Sequence, residues 1–385
     1  MKLEPVIGDD PRDILRGLKS AIHGAGPALE LGMVRALPGS VRAGTAVVVT
    51  TSGSTGIPKS VVLSRDALIA SALATAARIG EGAWLLALPA SYVAGMQVLV
   101  RAIVADREPA VLSGSFTPQA FAAAALTMVS TDRGIRIPTY TSLVPAQLSR
   151  LLDAVDDGDA SVAAALSSFE TILVGGQALP PVVLERAEAA GARIVRTYGS
   201  TETSGGCVYD GRPLDRVGVR VVDGEVQITG PTLADGYLGD AETTDAAFQR
   251  DEEGRRWYRT GDAGILEDGV LRVRGRIDNV IVSGGVNISL DRVERIVRSV
   301  SGLSGAVVIG VPDSRWGEAS VVVASRGESL RRSESVQLEE ARSAVAAEIG
   351  AHARPARLVL VDELATLPSG KPDREAIRRA VLALH

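Results

Sequence analysis

The feature that most constrains this chain is a short run of β-branched residues that leads directly into a loop of glycines and hydroxyl side chains. Residues 46–51 (AVVVTT) predict a buried strand, and residues 52–57 (SGSTGI) form the loop, which ends in Pro58-Lys59. Glycines allow backbone amides to converge on one anion, and hydroxyls and a lysine add further donors. The segment therefore predicts a loop that binds phosphate groups.

Two other interpretations of this loop are weaker. A Gly/Ser loop is often only a turn, but a simple turn needs neither the buried strand before it nor the lysine after it. A Walker A loop requires glycine immediately before its lysine, whereas Pro58 occupies that position here. We therefore expect nucleotide contacts from Thr51, Ser52, Gly53, Ser54, Thr55, Gly56 and Lys59.

Strand and helix patterns alternate along the first half of the chain. We predict strands at 84–89, 171–176 and 193–199, and helices at 65–79, 95–105, 117–130, 142–155 and 179–191. This alternation is typical of a largely parallel sheet with helices on both faces. The first half of the chain is therefore expected to have an α/β fold.

The pattern changes in the second half of the chain. From about residue 206, short segments predict antiparallel strands, with a hairpin turn at Asp223-Gly224. After Asp278 a compact α+β pattern follows. We therefore predict an α/β protein with a large N-terminal domain at residues 1–277, which includes a β-rich part, and a small mobile α+β C-terminal domain at residues 278–385.

Charge and composition exclude several other classes of protein. The net charge is −5 and no basic stripe is present, so we expect no nucleic-acid partner. The start of the chain has acidic residues and lacks an apolar segment, and no later run is long enough to span a membrane. The single cysteine, Cys207, fits a reducing compartment. We expect a soluble, cytoplasmic protein, and the sequence leaves a homo-oligomer open.

Four further motifs follow the phosphate loop in a fixed order. They are Tyr198-Gly199-Ser200-Thr201-Glu202, Tyr258-Arg259-Thr260-Gly261-Asp262, Gly275-Arg276-Ile277-Asp278 and Pro368-Ser369-Gly370-Lys371. In this order the five motifs resemble those of the adenylate-forming superfamily, which includes acyl-CoA synthetases, non-ribosomal adenylation domains and luciferases. The resemblance covers residues 46–375. It implies an enzyme that uses ATP and Mg²⁺ to activate a small carboxylic acid as its acyl-adenylate.

The resemblance also implies roles for individual residues in nucleotide binding. Tyr198 would stack on adenine, Asp262 would bind the ribose hydroxyls, and Arg276 would contact the ribose or the phosphates. Asp278 would be the hinge of the small domain. The remaining nucleotide-side residues on this interpretation are Gly175, Gly176, Gln177 and Gly199.

Three residues are expected to perform the chemistry of adenylation. Glu202 would hold Mg²⁺, because a hard cation prefers carboxylate oxygen. Thr201 would lie near the α-phosphate, and Lys371 would bridge the acid and the α-phosphate as charge develops there. Each has a simpler alternative: an acid at a helix N-terminus for Glu202, and a solvated lysine for Lys371.

The segments that would form the acyl pocket are less distinctive than the nucleotide motifs. Residues 88–101, 141–148 and 204–211 resemble the branch of the superfamily that serves menaquinone biosynthesis, whose acid has a ring, a keto group and a second carboxylate. The candidate acyl-binding residues are Tyr92, Arg101, Ser142, Val144, Gln147 and Gly205. Simple surface or core polarity is an equally good interpretation of Ser142, Gln147 and Arg101.

The acceptor of the acyl group is expected to be coenzyme A, bound near Ser283, Gly284 and Gly285. Three alternatives stay open: a ligase for another aryl or fatty acid, a stand-alone adenylation domain that loads a carrier protein, and a non-catalytic nucleotide-binding protein. The presence of Lys59, Glu202, Asp262 and Lys371 argues against the last. Only about fifty residues precede the phosphate loop, so part of the superfamily's usual N-terminal subdomain is expected to be missing.

Overall fold

A computed structural model describes residues 1–8, 10–32, 37–51, 58–128, 131–326, 333–367 and 370–384. The helices are α1 (Pro11–Ile22), α2 (Arg65–Ile79), α3 (Val93–Val104), α4 (Pro118–Leu126), α5 (Pro145–Asp156), α6 (Ala160–Ser168), α7 (Pro181–Ala189), α8 (Ala241–Ala247), α9 (Leu290–Val297), α10 (Glu334–Glu348) and α11 (Arg374–Leu382). Single turns of 3₁₀ helix lie at Thr201–Thr203 and Ala351–Ala353.

The strands belong mainly to four sheets. They are β1 (Leu3–Pro5), β2 (Ala28–Gly32), β3 (Thr45–Thr51), β4 (Lys59–Ser64), β5 (Ala83–Leu86), β6 (Ala110–Val111), β7 (Thr131–Asp132), β8 (Ile135–Arg136), β9 (Thr139–Leu143), β10 (Thr171–Val174), β11 (Ile194–Ser200), β12 (Gly205–Tyr209), β13 (Arg212–Pro213), β14 (Gly218–Val222), β15 (Glu225–Thr229), β16 (Gly236–Tyr237), β17 (Phe248–Arg250), β18 (Arg256–Glu267), β19 (Val270–Arg276), β20 (Val280–Ser283), β21 (Val286–Ser289), β22 (Val307–Asp313), β23 (Gly317–Ser325) and β24 (Arg357–Val361).

The two sheets of the first half share one apolar core. The first sheet has the order β1-β2-β3-β4-β16, and the second has the order β13-β12-β11-β10-β9-β5-β6. Helices α1, α2 and α3 pack between them, while α4, α5, α6 and α7 cover the other face of the second sheet. In the second sheet β5, β6, β9, β10 and β11 are parallel. The predicted α/β fold with helices on both faces is confirmed.

Local sequence signals account for most of these elements. Ser64 begins α2 as an N-cap, because its hydroxyl accepts a hydrogen bond from the amide of Ala67 at 3.1 Å. The turn at Asp223-Gly224 joins β14 to β15 with both residues at positive φ, as predicted. The predicted helix at 142–155 is wrong at its start, because β9 extends to Leu143 and α5 begins only at Pro145. Proline disfavours helical geometry in the residue before it, which is Val144 here.

The remaining two sheets lie in the second half of the chain. One is antiparallel, with the order β14-β15-β18-β17 and with β19 beside β18. The other has the order β21-β20-β23-β22, with β24 parallel to β23, and packs against α9, α10 and α11. The buried residues of this last unit all lie at or beyond Ile281, and those of the other cores all lie at or before Leu271. The boundary at 277/278 stays a prediction.

A buried ion-pair network holds the C-terminal unit together around Glu294 of α9. Its carboxylate accepts hydrogen bonds from Arg374 of α11 at 2.7 Å and from the amide of Val308 at 2.9 Å, and it pairs with Arg298 at 2.8 Å. Only 5% of Glu294 is exposed. The network therefore attaches the helix that follows Lys371 to the body of the unit.

Glu294→Ala should reduce the free energy of unfolding by about 3 kcal/mol, because it leaves buried arginine charge without a partner. Denaturant unfolding followed by circular dichroism measures this loss. Arg295→Ala, one position away on the exposed side of α9, is the control and should change the free energy by less than about 0.5 kcal/mol. Equal effects of the two substitutions would contradict the assignment.

Candidate active site

Three parallel strands of the second sheet bring the predicted site residues to one edge. Val144 follows β9, and Gly175, Gly176 and Gln177 follow β10. Thr201 and Glu202 follow β11. The carboxyl ends of parallel strands are the usual ligand-binding edge of an α/β sheet. Residues that are distant in sequence therefore share one side of the molecule.

A tight turn presents Thr201 and Glu202 at this edge. The turn closes because the amide of Ser200 donates to the hydroxyl of Thr203 at 2.8 Å. A side chain at Gly199 would place its Cβ 2.1 Å from the carbonyl oxygen of Gly205. Glycine is therefore required at position 199 to let β11 and β12 meet.

Glu202 lies beside a tyrosine and a lysine from the first sheet. The hydroxyl of Tyr237 donates to its carboxylate at 3.1 Å, and the ammonium group of Lys59 lies 5.0 Å from the centre of the Tyr237 ring. Burial and the charge of Glu202 raise the pKa of Tyr237 above its ordinary value, so this hydroxyl stays protonated and remains a donor. The structure thus brings predicted residues Glu202 and Lys59 to one tyrosine side chain, the first at its hydroxyl and the second over its ring.

Asp262 lies in the same site, held by a tyrosine and an arginine. The hydroxyl of Tyr198 donates to one carboxylate oxygen at 2.6 Å, and the guanidinium of Arg276 is 3.4 Å from the other. Burial raises the pKa of Asp262, while the Tyr198 hydrogen bond and the Arg276 charge act in the opposite direction. The predicted adenine-side and ribose-side residues are therefore in direct contact.

Arg276 also holds the predicted hinge residue, Asp278. Its guanidinium donates to both carboxylate oxygens of Asp278, at 2.9 and 2.8 Å, and this pairing lowers the pKa of Asp278. Asp291 of α9 accepts from the backbone amide of Arg276 at 2.7 Å and from the side chain of Asn279 at 2.6 Å. The segment at 276–279 is thus held from both sides.

Lys371 reaches the site from the C-terminal unit. A Cβ placed on Gly176 would lie 3.4 Å from Cε of Lys371, so the lysine side chain passes directly over this loop. Part of its surface remains exposed, but desolvation by the surrounding protein lowers its pKa, while the charges of Glu202 and Asp262 act to raise it. The ammonium group therefore faces the two acids that the motifs singled out.

Part of the phosphate loop lies outside the described residues. These are Ser52, Gly53, Ser54, Thr55 and Gly56, together with Pro368 and Ser369 of the lysine motif. The two ends of the loop are described: Thr51 pairs with Lys59 between β3 and β4. The hydroxyl of Thr51 donates to the carbonyl of Lys59 at 3.4 Å. Lys59, which follows the loop, thus lies on β4, the strand that also pairs with Tyr237 through Val61.

One face of α3 carries Arg101, a predicted acyl-binding residue, together with Val93 and Gln97, for which the sequence predicted no role. Val93, Gln97 and Arg101 follow one another at a spacing of four residues, which places them on one side of the helix. A Cβ on Gly205 would lie 3.2 Å from Gln97 and 3.8 Å from Val93. Tyr92 precedes the first turn of the helix as its N-cap residue. This face therefore runs along β12 from the site into the core.

Arg101 is buried at the inner end of this face, with 6% of its surface exposed. It lies over the Trp84 ring and donates to the hydroxyl of Tyr209 at 3.4 Å. Desolvation lowers its pKa. Within the described part of the chain, no carboxylate forms an ion pair with it. Trp84 lies near the start of β5, so this cation lies towards the amino ends of the parallel strands, and its contact with the acid stays a prediction.

Three other predicted acyl-binding residues lie in or just after β9. Ser142 and Val144 lie near the carboxyl end of this strand, and Gln147 forms hydrogen bonds that hold it. Ser142 is buried in β9, and Val144 lies 3.7 Å from a Cβ placed on Gly176. Gln147 accepts from the amide of Val144 at 3.2 Å and donates to the carbonyl of Ala87 at 2.9 Å. Both polar ends of Gln147 therefore hold the pocket wall, and its contact with the acid stays a prediction.

The predicted coenzyme A residues lie apart from these groups, on the C-terminal unit. Ser283 ends β20, and Gly284 and Gly285 form the turn to β21 at positive φ. The amide of Gly284 donates to the carbonyl of Trp316 at 2.8 Å. Their assignment to coenzyme A stays a prediction.

Four residues that shape the site have no role predicted from the sequence. Tyr237 and Tyr258 surround Glu202, and Asp291 and Arg374 tie the hinge segment and the lysine loop to α9. A Gly-Tyr pair after the β-rich segments was the only local signal for Tyr237. Tyr258 begins the motif that ends at Asp262, although no role was predicted for it. Asp291 and Arg374 are single polar residues whose partners are distant in sequence.

The site fits one magnesium ion that arrives with ATP. Mg²⁺ is usually held by one or two carboxylates, with substrate phosphates and water completing its shell. Glu202 supplies such a carboxylate, and no cluster of three or more metal-ligating side chains occurs among the described residues.

Among the helices of the described residues, none has the length and hydrophobicity of a membrane span.

Comparison with known proteins defines the class to which this site belongs. The AMP-binding enzyme family profile matches residues 36–238, and the profile of its C-terminal domain matches residues 292–371. The chain therefore belongs to the family of AMP-binding, adenylate-forming enzymes, as the motifs predicted.

Particular relatives narrow the comparison further. A Mycobacterium tuberculosis protein named "Probable 2-succinylbenzoate--CoA ligase" is 38% identical, with 95% of this chain and 94% of that protein covered. A medium/long-chain fatty-acid–CoA ligase of the same organism is 31% identical, covering 85% of this chain and 60% of the relative. The solved structure of o-succinylbenzoate coenzyme A synthetase from Bacillus subtilis in complex with AMP is 26% identical, has a TM-score of 0.70, and covers 87% of this chain and 69% of its own.

The lowered pKa of Lys371 predicts a loss of adenylation at alkaline pH. Protonated Lys371 stabilises the developing charge, so ATP–pyrophosphate exchange should fall as the pH rises through that pKa, below the ordinary lysine value. Lys371→Arg should move this loss to higher pH, because arginine keeps its proton. Thioester formation from preformed acyl-adenylate is the control and should not show this alkaline loss of activity. The same alkaline loss in the arginine variant would rule out Lys371 as its source.

Proposed function

We propose that this protein is an AMP-forming acid–CoA ligase that converts o-succinylbenzoate to o-succinylbenzoyl-CoA, the thioester used in menaquinone biosynthesis. In the first half-reaction a carboxylate oxygen attacks the α-phosphorus of ATP, and pyrophosphate leaves. In the second, the thiol of coenzyme A attacks the acyl carbon, and AMP leaves. The observation that carries the proposal is Lys371 placed against Glu202 and Asp262 at the strand edge.

Each of these residues has a distinct part in the first half-reaction. Lys371 holds the attacking carboxylate and the α-phosphate together and balances the charge that develops between them. Asp262, fixed by Tyr198, orients the ribose. Glu202 would hold Mg²⁺, which neutralises the phosphate charge, and Lys59 would contact the same phosphates.

Two observations support the choice of acid. The first is the M. tuberculosis relative, whose similarity extends over nearly the whole of both chains. The second is Arg101, a buried cation without an acidic partner at the inner end of the α3 face. o-Succinylbenzoate carries a second carboxylate, which would provide the missing negative charge.

A fatty-acid ligase is the second candidate, because a medium/long-chain fatty-acid–CoA ligase is 31% identical over 85% of this chain. A fatty acid has one carboxylate and offers no second anionic group to Arg101, whose burial without an acidic partner is costly. Arg101 therefore favours the diacid.

We propose further that residues 278–385 form the mobile domain and rotate about Asp278 between the two half-reactions. Support comes from the separate apolar cores on either side of residue 278 and from the pairing of Asp278 with Arg276. This rotation would bring Ser283, Gly284 and Gly285 towards the site for coenzyme A.

We also propose that the protein is located in the reducing cytoplasm, because its single cysteine, Cys207, is a free thiol.

Incubation with ATP, Mg²⁺, coenzyme A and a panel of acids tests the proposed reaction directly. Mass spectrometry should detect the thioester of o-succinylbenzoate, formed with a higher kcat/KM than those of benzoate or a long-chain fatty acid. The reaction without ATP is the control. A preference for the fatty acid would replace the proposed substrate while leaving the ligase chemistry in place.

Arg101→Met should raise the KM for o-succinylbenzoate by roughly 10- to 100-fold, the range expected for losing a hydrogen-bonded charge partner. The KM for ATP should not change, since Arg101 lies along α3 and away from the nucleotide residues. Benzoate, which lacks the second carboxylate, is the matched control substrate and should be used equally by both proteins. An equal loss with benzoate would show that Arg101 only supports the fold.

A further inference from the structure

Tyr237 contacts both charged groups that are expected to handle the triphosphate. Its hydroxyl donates to the carboxylate of Glu202 at 3.1 Å. The face of its ring lies 5.0 Å from the ammonium of Lys59. Only 8% of the residue is exposed. One buried side chain therefore connects the end of the phosphate loop with the carboxylate assigned to Mg²⁺.

The position of this tyrosine is fixed by contacts that do not involve the two charged groups. β16 pairs with β4 so that Tyr237 lies opposite Val61, two residues after Lys59. The ring packs against Phe248 at 6.0 Å between centroids, and Phe248 packs against Tyr258 at 5.0 Å. Strand pairing and aromatic packing thus fix the Tyr237 ring independently of Glu202 and Lys59.

The backbone reinforces the same connection on the Glu202 side. The amide of Ala234, three residues before Tyr237, donates to the carbonyl of Glu202 at 2.8 Å. Tyr237 and Glu202 are therefore linked through both main chain and side chain. A change in the position of one is transmitted to the other.

Without their contacts to Tyr237, the side chains of Glu202 and Lys59 would lose rotamer freedom only when the nucleotide binds. Lysine and glutamate have long side chains whose ordering costs up to about 2 kcal/mol each. A hydrogen bond to the carboxylate and a cation–π contact with the ammonium fix them beforehand. The metal ion and the triphosphate then meet groups that are already placed.

We propose that Tyr237 is a positioning residue that holds Glu202 through its hydroxyl and Lys59 through its ring, and so couples the carboxylate assigned to Mg²⁺ with the lysine assigned to the phosphates. This inference rests on the proposed function, because it takes MgATP as the ligand. Tyr237 itself does not contact the reacting atoms.

Two substitutions separate the two contacts. Tyr237→Phe keeps the ring and removes the hydroxyl, so the Mg²⁺ concentration for half-maximal binding of α,β-methylene-ATP should rise about 10-fold. Nucleotide binding in EDTA should stay within about 2-fold of wild type, because the ring still faces Lys59. Tyr237→Leu removes both contacts and should also weaken the metal-free binding, by about 3- to 5-fold. Isothermal titration calorimetry measures both quantities.

Tyr140→Phe is the matched control, since it removes the hydroxyl of another buried tyrosine, which donates to the carbonyl of Ile79 in the core. It should leave both binding quantities unchanged. If Tyr237→Leu does not fold, the Mg²⁺ requirement of Tyr237→Phe still decides whether the hydroxyl positions Glu202. Thermal unfolding identifies such a failure.

A double-mutant cycle decides whether Tyr237 acts through Glu202. The Mg²⁺ requirement of Glu202→Gln/Tyr237→Phe should equal that of Glu202→Gln alone. Additive effects, or a Tyr237→Phe requirement within 2-fold of wild type, would overturn the inference. A wild-type protein that binds no MgATP would instead overturn the proposed function, so the two failures are distinguishable.

Discussion

The structure depends on two acids held at the edge of a parallel sheet, where a lysine from a different part of the chain meets them. Glu202 and Asp262 are each fixed by a tyrosine hydroxyl, from Tyr237 and Tyr198 respectively. Their charges act on Lys371, whose pKa burial lowers. The charges of the two acids therefore favour the protonated form of Lys371, the form that the proposed adenylation requires.

This arrangement requires the backbone to change direction sharply after β11. The 3₁₀ turn at Thr201–Thr203 reverses the chain into β12, and Gly199 allows the two strands to touch. The same reversal brings Gly205 against α3. Nucleotide and acyl sides of the site are therefore set by one turn, and a distortion there would disturb both.

The predicted acid-binding residues differ from the predicted nucleotide-binding residues in how their charged groups are held. The nucleotide groups are tied to each other by hydrogen bonds, from Tyr198 to Asp262 and from Arg276 to Asp278. Arg101 instead lies in largely apolar surroundings, where its desolvation is only partly offset. A buried cation of this kind would be stabilised by an anionic ligand.

The sequence by itself determined the α/β class and the positions of several elements, and it predicted the chemistry of the site. Periodicity placed α2 and β3, proline and glycine placed the turns, and five short motifs gave the family, because each depends on neighbours within a few residues. Only the tertiary structure decided which of these residues act together. Tyr237 lies 35 residues from Glu202 in the chain, and Gln147 braces the pocket wall through Ala87. Such pairings depend on strand order and helix packing, which no local pattern encodes.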